Sequence, residues 1–359
     1  MRIVIIRTKQ KEPRIIKNMK KTKKIAALVA SFAVLFMSSC DSTGTVGYKP
    51  TVTGQSYELL VVGDQKVWKD SVGIRMKDSL THEMPCMPQM EKFFDVSYTP
   101  TEGFTGILKP VRNILFFEID PTMYTQSKMG ASRDNWAETQ AVLRITAPSK
   151  DSLEAFFNNN IEAIRRFYIN AENERVVRFF GKFRHVDYCD SVRKRFGAEL
   201  IIPSSLTQAR FEKDFAWFSN GNPDFTENIV IYRMPYNDES DFMKDNLLYY
   251  RDSVMKAYVG GPSDGSYMTT RYEIMPPEST VLPAMDGKYS VEIRGLWRIE
   301  GDIMGGPFVS RSYLDPENKN IITVEAFIYR PNKSKRSAYR QLEAMISSVK
   351  FNVQETPEQ

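Results

Sequence analysis

Apolar positions recur along this chain with two different periods. Around residues 140–146, Ala141, Leu143 and Ile145 alternate with Val142, Arg144 and Thr146, the period-two pattern of a strand with one wet face. Extended segments are also predicted at 57–62, 93–98, 112–119, 228–233 and 321–330, and at 288–300 as a strand pair or one strand bent at Gly295. The centre of 112–119 is almost wholly apolar, which predicts burial on both faces. The longer period appears at Trp68, Val72, Met76 and Leu80, spaced four apart, and predicts a helix over 68–80. After Pro148 a stripe of Leu153, Phe156, Phe157, Ile161, Ile164, Phe167 and Tyr168 predicts another. Further helices are expected at 174–196, rich in Arg and Lys on its polar side, at 242–255, and after Pro331 with Tyr339, Leu342, Ile346 and Val349 inward. Pro85 and Pro88 keep 84–88 extended or turning, while 260–265 reads as a loop and 301–307 as a turn.

This order of elements predicts an α+β fold, with amphipathic helices packed on mainly antiparallel sheets. One pattern occurs twice. Asn113-Ile114-Leu115-Phe116-Phe117 is echoed by Asn228-Ile229-Val230-Ile231-Tyr232, and strand, Pro148-Ser149-Lys150, helix by strand, Pro331-Asn332-Lys333, helix. Two related α/β sandwich halves, 55–197 and 198–353, are therefore expected.

The amino-terminal stretch carries an address. Lys20, Lys21, Lys23 and Lys24 precede an uncharged, mostly apolar run from Ile25 to Met37, too short for the roughly 20 helical residues that span a bilayer. Ser38, Ser39 and Cys40 follow. A basic head, a short apolar run and a small-residue end describe a secretory signal over 1–39. Met19 is a better start than Met1, which leaves 1–18 as an upstream extension. The end resembles the lipobox of bacterial lipoproteins, in which the cysteine becomes the lipidated first residue; Met37 stands where Leu is more usual. Cys40 is thus the expected lipidation site, with acyl chains holding the chain to a membrane. Residues 40–54, rich in Ser, Thr and Gly, read as a flexible tether. No acidic run follows Cys40, which favours an outer-membrane anchor facing the periplasm.

Charge changes sign with that address. The formal charge is +5, but ten of the 49 basic residues and one of the 44 acidic ones lie before Cys40, so the remaining 320 residues carry −4. No basic field is left to attract nucleic acid. A hydrophobic content of 42% supports a packed globule rather than a disordered chain. Cys86 and Cys189 are the cysteines after Cys40; in an oxidising compartment they form one bridge or stay as two buried thiols.

Several stretches from Arg251 onward are familiar: Arg251-Asp252-Ser253, Gly260-Gly261-Pro262, Ser266-Tyr267-Met268, Arg294-Gly295-Leu296-Trp297, Met304 to Ser310, Lys335-Arg336 and Gln341-Leu342-Glu343. Together they resemble a family of Bacteroidetes lipoproteins, domain of unknown function 4837, over most of the chain from Cys40. The resemblance implies a bacterial envelope lipoprotein and brings no catalytic residue.

The best ligand candidate in the sequence is the block Arg294, Trp297, Arg298, Glu300, Asp302, Gly305 and Gly306. Arginines fork onto carboxylates or phosphates, a Trp face suits a sugar or aromatic group, and glycines let backbone approach closely. The bland alternative is that Trp297 is core, the arginines pair with Glu300 and Asp302, and the glycines serve a turn. His82 and Cys86, like His185 and Cys189, are four apart, a spacing open to metal ligation or a Cys/His nucleophile. Pro85 interrupts the first pair, and the sequence offers no supporting oxyanion site, so neither metal nor cofactor is assigned. The expectation is a non-catalytic binding or scaffolding protein whose partner is an envelope protein, a glycan or a lipid. The alternative is an envelope hydrolase using the carboxylates of Glu300 and Asp302.

Overall fold

The computed structural model describes residues 49–351, apart from 286 and 316–318. The signal segment and Cys40 lie outside the described residues. From Pro50 on the chain is one compact unit built on two large sheets. Thr51 and Thr53, at the end of the expected tether, already bridge to Glu138 and Val111.

The first sheet has the order β2-β1-β3-β5-β4. Its strands are β1 (Glu58–Gly63), β2 (Asp95–Pro100), β3 (Asn113–Ile119), β4 (Lys128–Arg133) and β5 (Ala141–Ala147). β1 runs parallel to β2 and β3, and β3 parallel to β5, while β4 closes the edge antiparallel. One face, with Leu59, Val61, Leu115 and Leu143, packs on α1 (Gln65–Lys69), α2 (Ser71–Leu80) and α3 (Lys150–Lys182). The other face, with Leu60, Val62, Ile114 and Phe116, is covered by Phe104 and Trp136. Double coverage explains why β3 reads as an unbroken apolar run.

The second sheet is antiparallel, in the order β10-β12-β13-β14-β9-β8-β7, with β11 also on β12. After α4 (Val186–Phe196) come β6 (Ala198–Glu199), β7 (Gln208–Phe211), β8 (Phe215–Ser219) and β9 (Thr226–Pro235). α5 (Lys244–Tyr258), β10 (Tyr267–Thr270), β11 (Glu278–Met285) and β12 (Lys288–Glu300) follow. β13 (Gly305–Asp315), β14 (Asn320–Tyr329), α6 (Arg336–Ile346) and β15 (Lys350–Phe351), which pairs with β6, complete the chain. Along β9, Ile229 and Ile231 join the core beneath α4 and α6, whereas Val230 and Tyr232 join the core beneath α5. The α+β class with mostly antiparallel strands is as expected. The echoed strands β3 and β9, however, lie in sheets of different wiring, so the likeness stops at the local strand pattern.

Three expectations about elements change. The helix predicted over 68–80 is broken at Asp70, whose extended backbone and side chain cap α2 by accepting from Val72 N–H at 3.0 Å. The helix after Pro148 runs on for 33 residues instead of ending before a second helix at 174. Its later turns stay buried: Ala171 completes the first core and Val176 enters the second. The predicted turn at 301–307 gives way to β13 from Gly305, because Gly305 and Gly306 sit opposite Arg298 and Trp297 on β12. A Cβ on Gly306 would lie 2.1 Å from the Ile328 carbonyl oxygen, so no other residue fits there without backbone movement.

The alternative of a Cys86–Cys189 bridge is not what forms: both thiols are free. Cys86 Sγ lies 3.5 Å from the Arg294 carbonyl oxygen, and Cys189 Sγ accepts from Ile202 N–H at 3.4 Å. Burial pushes the Cys86 thiol up to about 11, with Glu278 adding to the effect, and burial raises Cys189 as well. Both cysteines are expected to be recovered by mass spectrometry as unbridged thiols that alkylate slowly at neutral pH; a Cys86–Cys189 crosslinked peptide would overturn this.

A buried ion pair fixes α5 to the second sheet. Arg251 is 1% exposed and forks onto Glu325, with Nε and Nη2 donating at 2.9 and 2.7 Å. Its Nη1 donates to Thr270 Oγ1 at 2.9 Å, and its guanidinium lies 3.7 Å from the Phe308 ring centroid. Removing one partner strands a buried charge, at a typical loss of roughly 3–5 kcal/mol. Arg251→Met is therefore expected to lower unfolding stability by about that amount in urea titration, and Arg251→Met with Glu325→Met by clearly less.

Candidate functional site

The block proposed from sequence does not converge. Residues three apart on a strand face opposite sides, and Arg294 and Trp297 are both on β12. Trp297 is 2% exposed, packs edge-on to Phe327, and donates from Nε1 to the Ile328 carbonyl at 3.3 Å. Arg298 pairs with Glu273 at 3.2 Å and with Glu300 at 2.7 Å. Asp302 Oδ1 accepts from Ile303 and Met304 N–H in the tight turn before β13. Gly305 and Gly306 are strand residues. Of these seven residues, Arg294 lines a cavity. His185 stacks face to face on Tyr188 at 3.5 Å, next to Cys189 in α4.

Arg294 belongs instead to a buried charge network that sequence reading missed. Glu292 and Arg294 are two apart on β12 and therefore share a face, and Arg311 of β13 stands opposite Glu292 in register. Arg294 Nε donates to Glu292 Oε1 at 2.7 Å, and Arg311 Nε donates to Glu292 Oε2 at 2.8 Å. Above this face lies α6, which brings Arg340 and Glu343 to one side, three residues apart. Arg294 Nη2 donates to Glu343 Oε1, and Arg340 Nη1 donates to Glu343 Oε2 at 3.1 Å. Glu343 is 3% exposed. Burial alone would raise its carboxyl, but Arg294 and Arg340 outweigh burial and hold it down at about 2. Burial would likewise disfavour the Arg294 cation, yet Glu343 and Glu292 keep it well above its ordinary value.

Two cavities adjoin this network, and Arg311 lines both. One, of about 290 Å³, lies where α3 meets β12, β13 and α6. Arg165 of α3 joins Arg294, Arg311 and Arg340 in its wall. Arg165 Nη1 donates to Glu162 Oε1 at 2.6 Å and Nη2 donates to the Ser79 carbonyl. The guanidinium groups of Arg165 and Arg340 lie 4.9 and 5.3 Å from the centroid of one ring, Phe93. The other cavity, of about 680 Å³, is lined by Asn173 and Glu174 of α3, Arg193 of α4 and Arg184 between them, with Leu200 and Lys350.

The signal for this network was present in the sequence. Glu292, Arg294 and Arg311 interrupt strands that are otherwise apolar, as Arg340 and Glu343 interrupt an apolar helix face. Charges at buried positions of an amphipathic pattern are costly unless they meet one another. Which strand and helix would bring them together is set by pairing across 49 positions, from Arg294 to Glu343, and no local pattern encodes that.

The low Glu343 value sets a pH dependence. Its folded-state value lies below the usual 4.5, so its contribution to stability is complete above that value and is lost as pH falls towards 2. Glu343→Gln is expected to lower stability at pH 7 by roughly 3–5 kcal/mol, since it leaves the arginines without their central anion. It should also flatten the stability profile between pH 4.5 and 2, as read by urea unfolding at stepped pH.

Comparison with known proteins places the network inside a stretch that matches one family model. No curated protein matches the chain. Among solved structures, a mutant of the protein Mog1 and the Saccharomyces cerevisiae Ran-binding protein Mog1p are both 11% identical to this chain. They cover 43% of it and 90% and 89% of their own lengths, each with a TM-score of 0.28, too low to carry an argument. Residues 52–180 match the model of a domain of unknown function, DUF8532. A second model matches over 186–348, a shorter span than the sequence resemblance implied, and this span holds Glu292, Arg294, Arg311, Arg340 and Glu343. Residues 186–348 match the model of a domain of unknown function, DUF4837.

Proposed function

We propose that this protein is a lipid-anchored lipoprotein of the bacterial cell envelope, held to the outer membrane facing the periplasm, where it binds a ligand without transforming it. The observation that carries the reading is the run from Lys20 to Cys40: a basic head, a short apolar segment, two serines and a cysteine open to acylation. A single acyl chain gives only marginal attachment, so two or more are needed for a lasting anchor. The binding role is supported by the arginine-lined cavities between α3, α6 and the second sheet, which present guanidinium donors suited to an anionic partner. Glu300 and Asp302, the carboxylates of the hydrolase alternative, are engaged in an ion pair and a turn.

The anchor is tested at its thiol. Cys40→Ala expressed in an envelope-bearing bacterium is expected to leave the membrane fraction and to take up no palmitate analogue, while the parent chain is labelled. Equal labelling of the two proteins would refute lipidation at Cys40.

A further inference from the structure

The smaller cavity has an imbalance of buried charge. Five arginines line it against three glutamates. Four of the arginine side chains are largely withdrawn from water: Arg165 and Arg311 are 11% exposed, Arg294 14% and Arg340 4%. Glu292 and Glu343, at 9% and 4%, are withdrawn with them; Glu162, 75% exposed, meets Arg165 from the rim at 2.6 Å. Over the whole lining, five guanidinium groups against three carboxylates leave two positive charges in excess. Arg165 is met by the exposed Glu162, and Arg340 shares Glu343 with Arg294, so the carboxylates present are divided among more cations than they can neutralise.

The donors tell the same story. Arg340 Nε and Arg165 Nε are both buried and meet no acceptor. Both guanidinium groups rest against Phe93, which positions them while leaving hydrogen-bonding edges unspent. Arg166, exposed and also in the cavity wall, adds a fifth guanidinium. The cavity thus offers cations, unfilled N–H groups and about 290 Å³ of space in one place.

We propose that the cleft lined by α3, α6, β12 and β13 is a binding site for a phosphate-type dianion, gripped by Arg340 and Arg165 with Arg166 at its rim. This inference rests on the binding reading above and names its site and ligand class. A phosphate monoester carries close to two charges at neutral pH on one compact tetrahedral centre, matching the excess in the wall, and its oxygens accept from several guanidinium groups at once. A lone carboxylate brings one charge and leaves the other cation unmatched.

The test is calorimetric titration of the full chain, purified in non-ionic detergent at low salt, with two probes: inorganic phosphate and a short-chain phosphatidic acid. Saturable binding of inorganic phosphate with a dissociation constant at or below about 1 mM is expected. Arg340→Gln and Arg166→Gln should each weaken it by about tenfold or more. Tighter binding of phosphatidic acid, lost in the same variants, assigns the site to a lipid headgroup; equal affinity for both assigns it to a free phosphate or phosphomonoester. Arg166 is exposed, so its variant decides the matter even if Arg340→Gln fails to fold. Absence of saturation with both probes, or variants that bind as the parent does, would overturn the site while leaving the anchor and any other partner standing. Hydrolysis of p-nitrophenyl phosphate, abolished by Arg340→Gln and Arg166→Gln, would instead keep the site and overturn the non-catalytic reading.

Discussion

The Glu343 carboxylate, buried between α6 and the second sheet, is the constraint on which the second core depends. Arg294 reaches it from a strand and Arg340 from its own helix. Arg294 in turn is held by Glu292, and Glu292 by Arg311 of the next strand. Helix, strand and neighbouring strand are locked into one register by bonds whose directions allow little sliding. Apolar packing is less directional, and Leu342, Ile346 and Val349 alone would tolerate small shifts of α6 across the sheet. The network therefore supplies position where the surrounding core supplies cohesion. It also holds the walls of a cavity in place, which couples the stability of the fold to the shape of the site.

Much of the architecture was legible because burial was one-sided and local. The alternation in β5 and the stripe along the first half of α3 name their own buried faces. What was hidden lies where a polar residue faces inward. Glu172, on what seemed a polar turn of α3, is 1% exposed and accepts from Tyr57 N–H and Asn113 Nδ2, with Arg112 and Arg175 beside it. This carboxylate beyond the apolar stripe is a joint between helix and sheet, and the helix runs past the point where that stripe fades. Short edge strands such as β7 and β10 were missed because four residues are too few to establish a period.

The site itself was only half visible. Arg294 was identified for its capacity to fork onto an anion, but beside the wrong companions, since Trp297 and the glycine pair are packing and close-approach residues. Its real companions lie on the other face of the strand, on the adjacent strand, on α6 and on α3. A linear block of attractive residues within a strand is divided between two faces by geometry, so neighbours in sequence are often the least able to cooperate.

The long helix α3 carries one more implication. It lies within the first family match at least as far as residue 180, yet Val176 joins the second core, Phe180 packs against that core, and Arg165 stands in the cavity wall with residues of the second match. The two stretches match separate family models yet lie in one compact folded unit. A gene encoding only 186–348 would keep α4 and α6 over the second sheet but lose Val176 and Phe180, leaving the apolar residues they pack against partly uncovered.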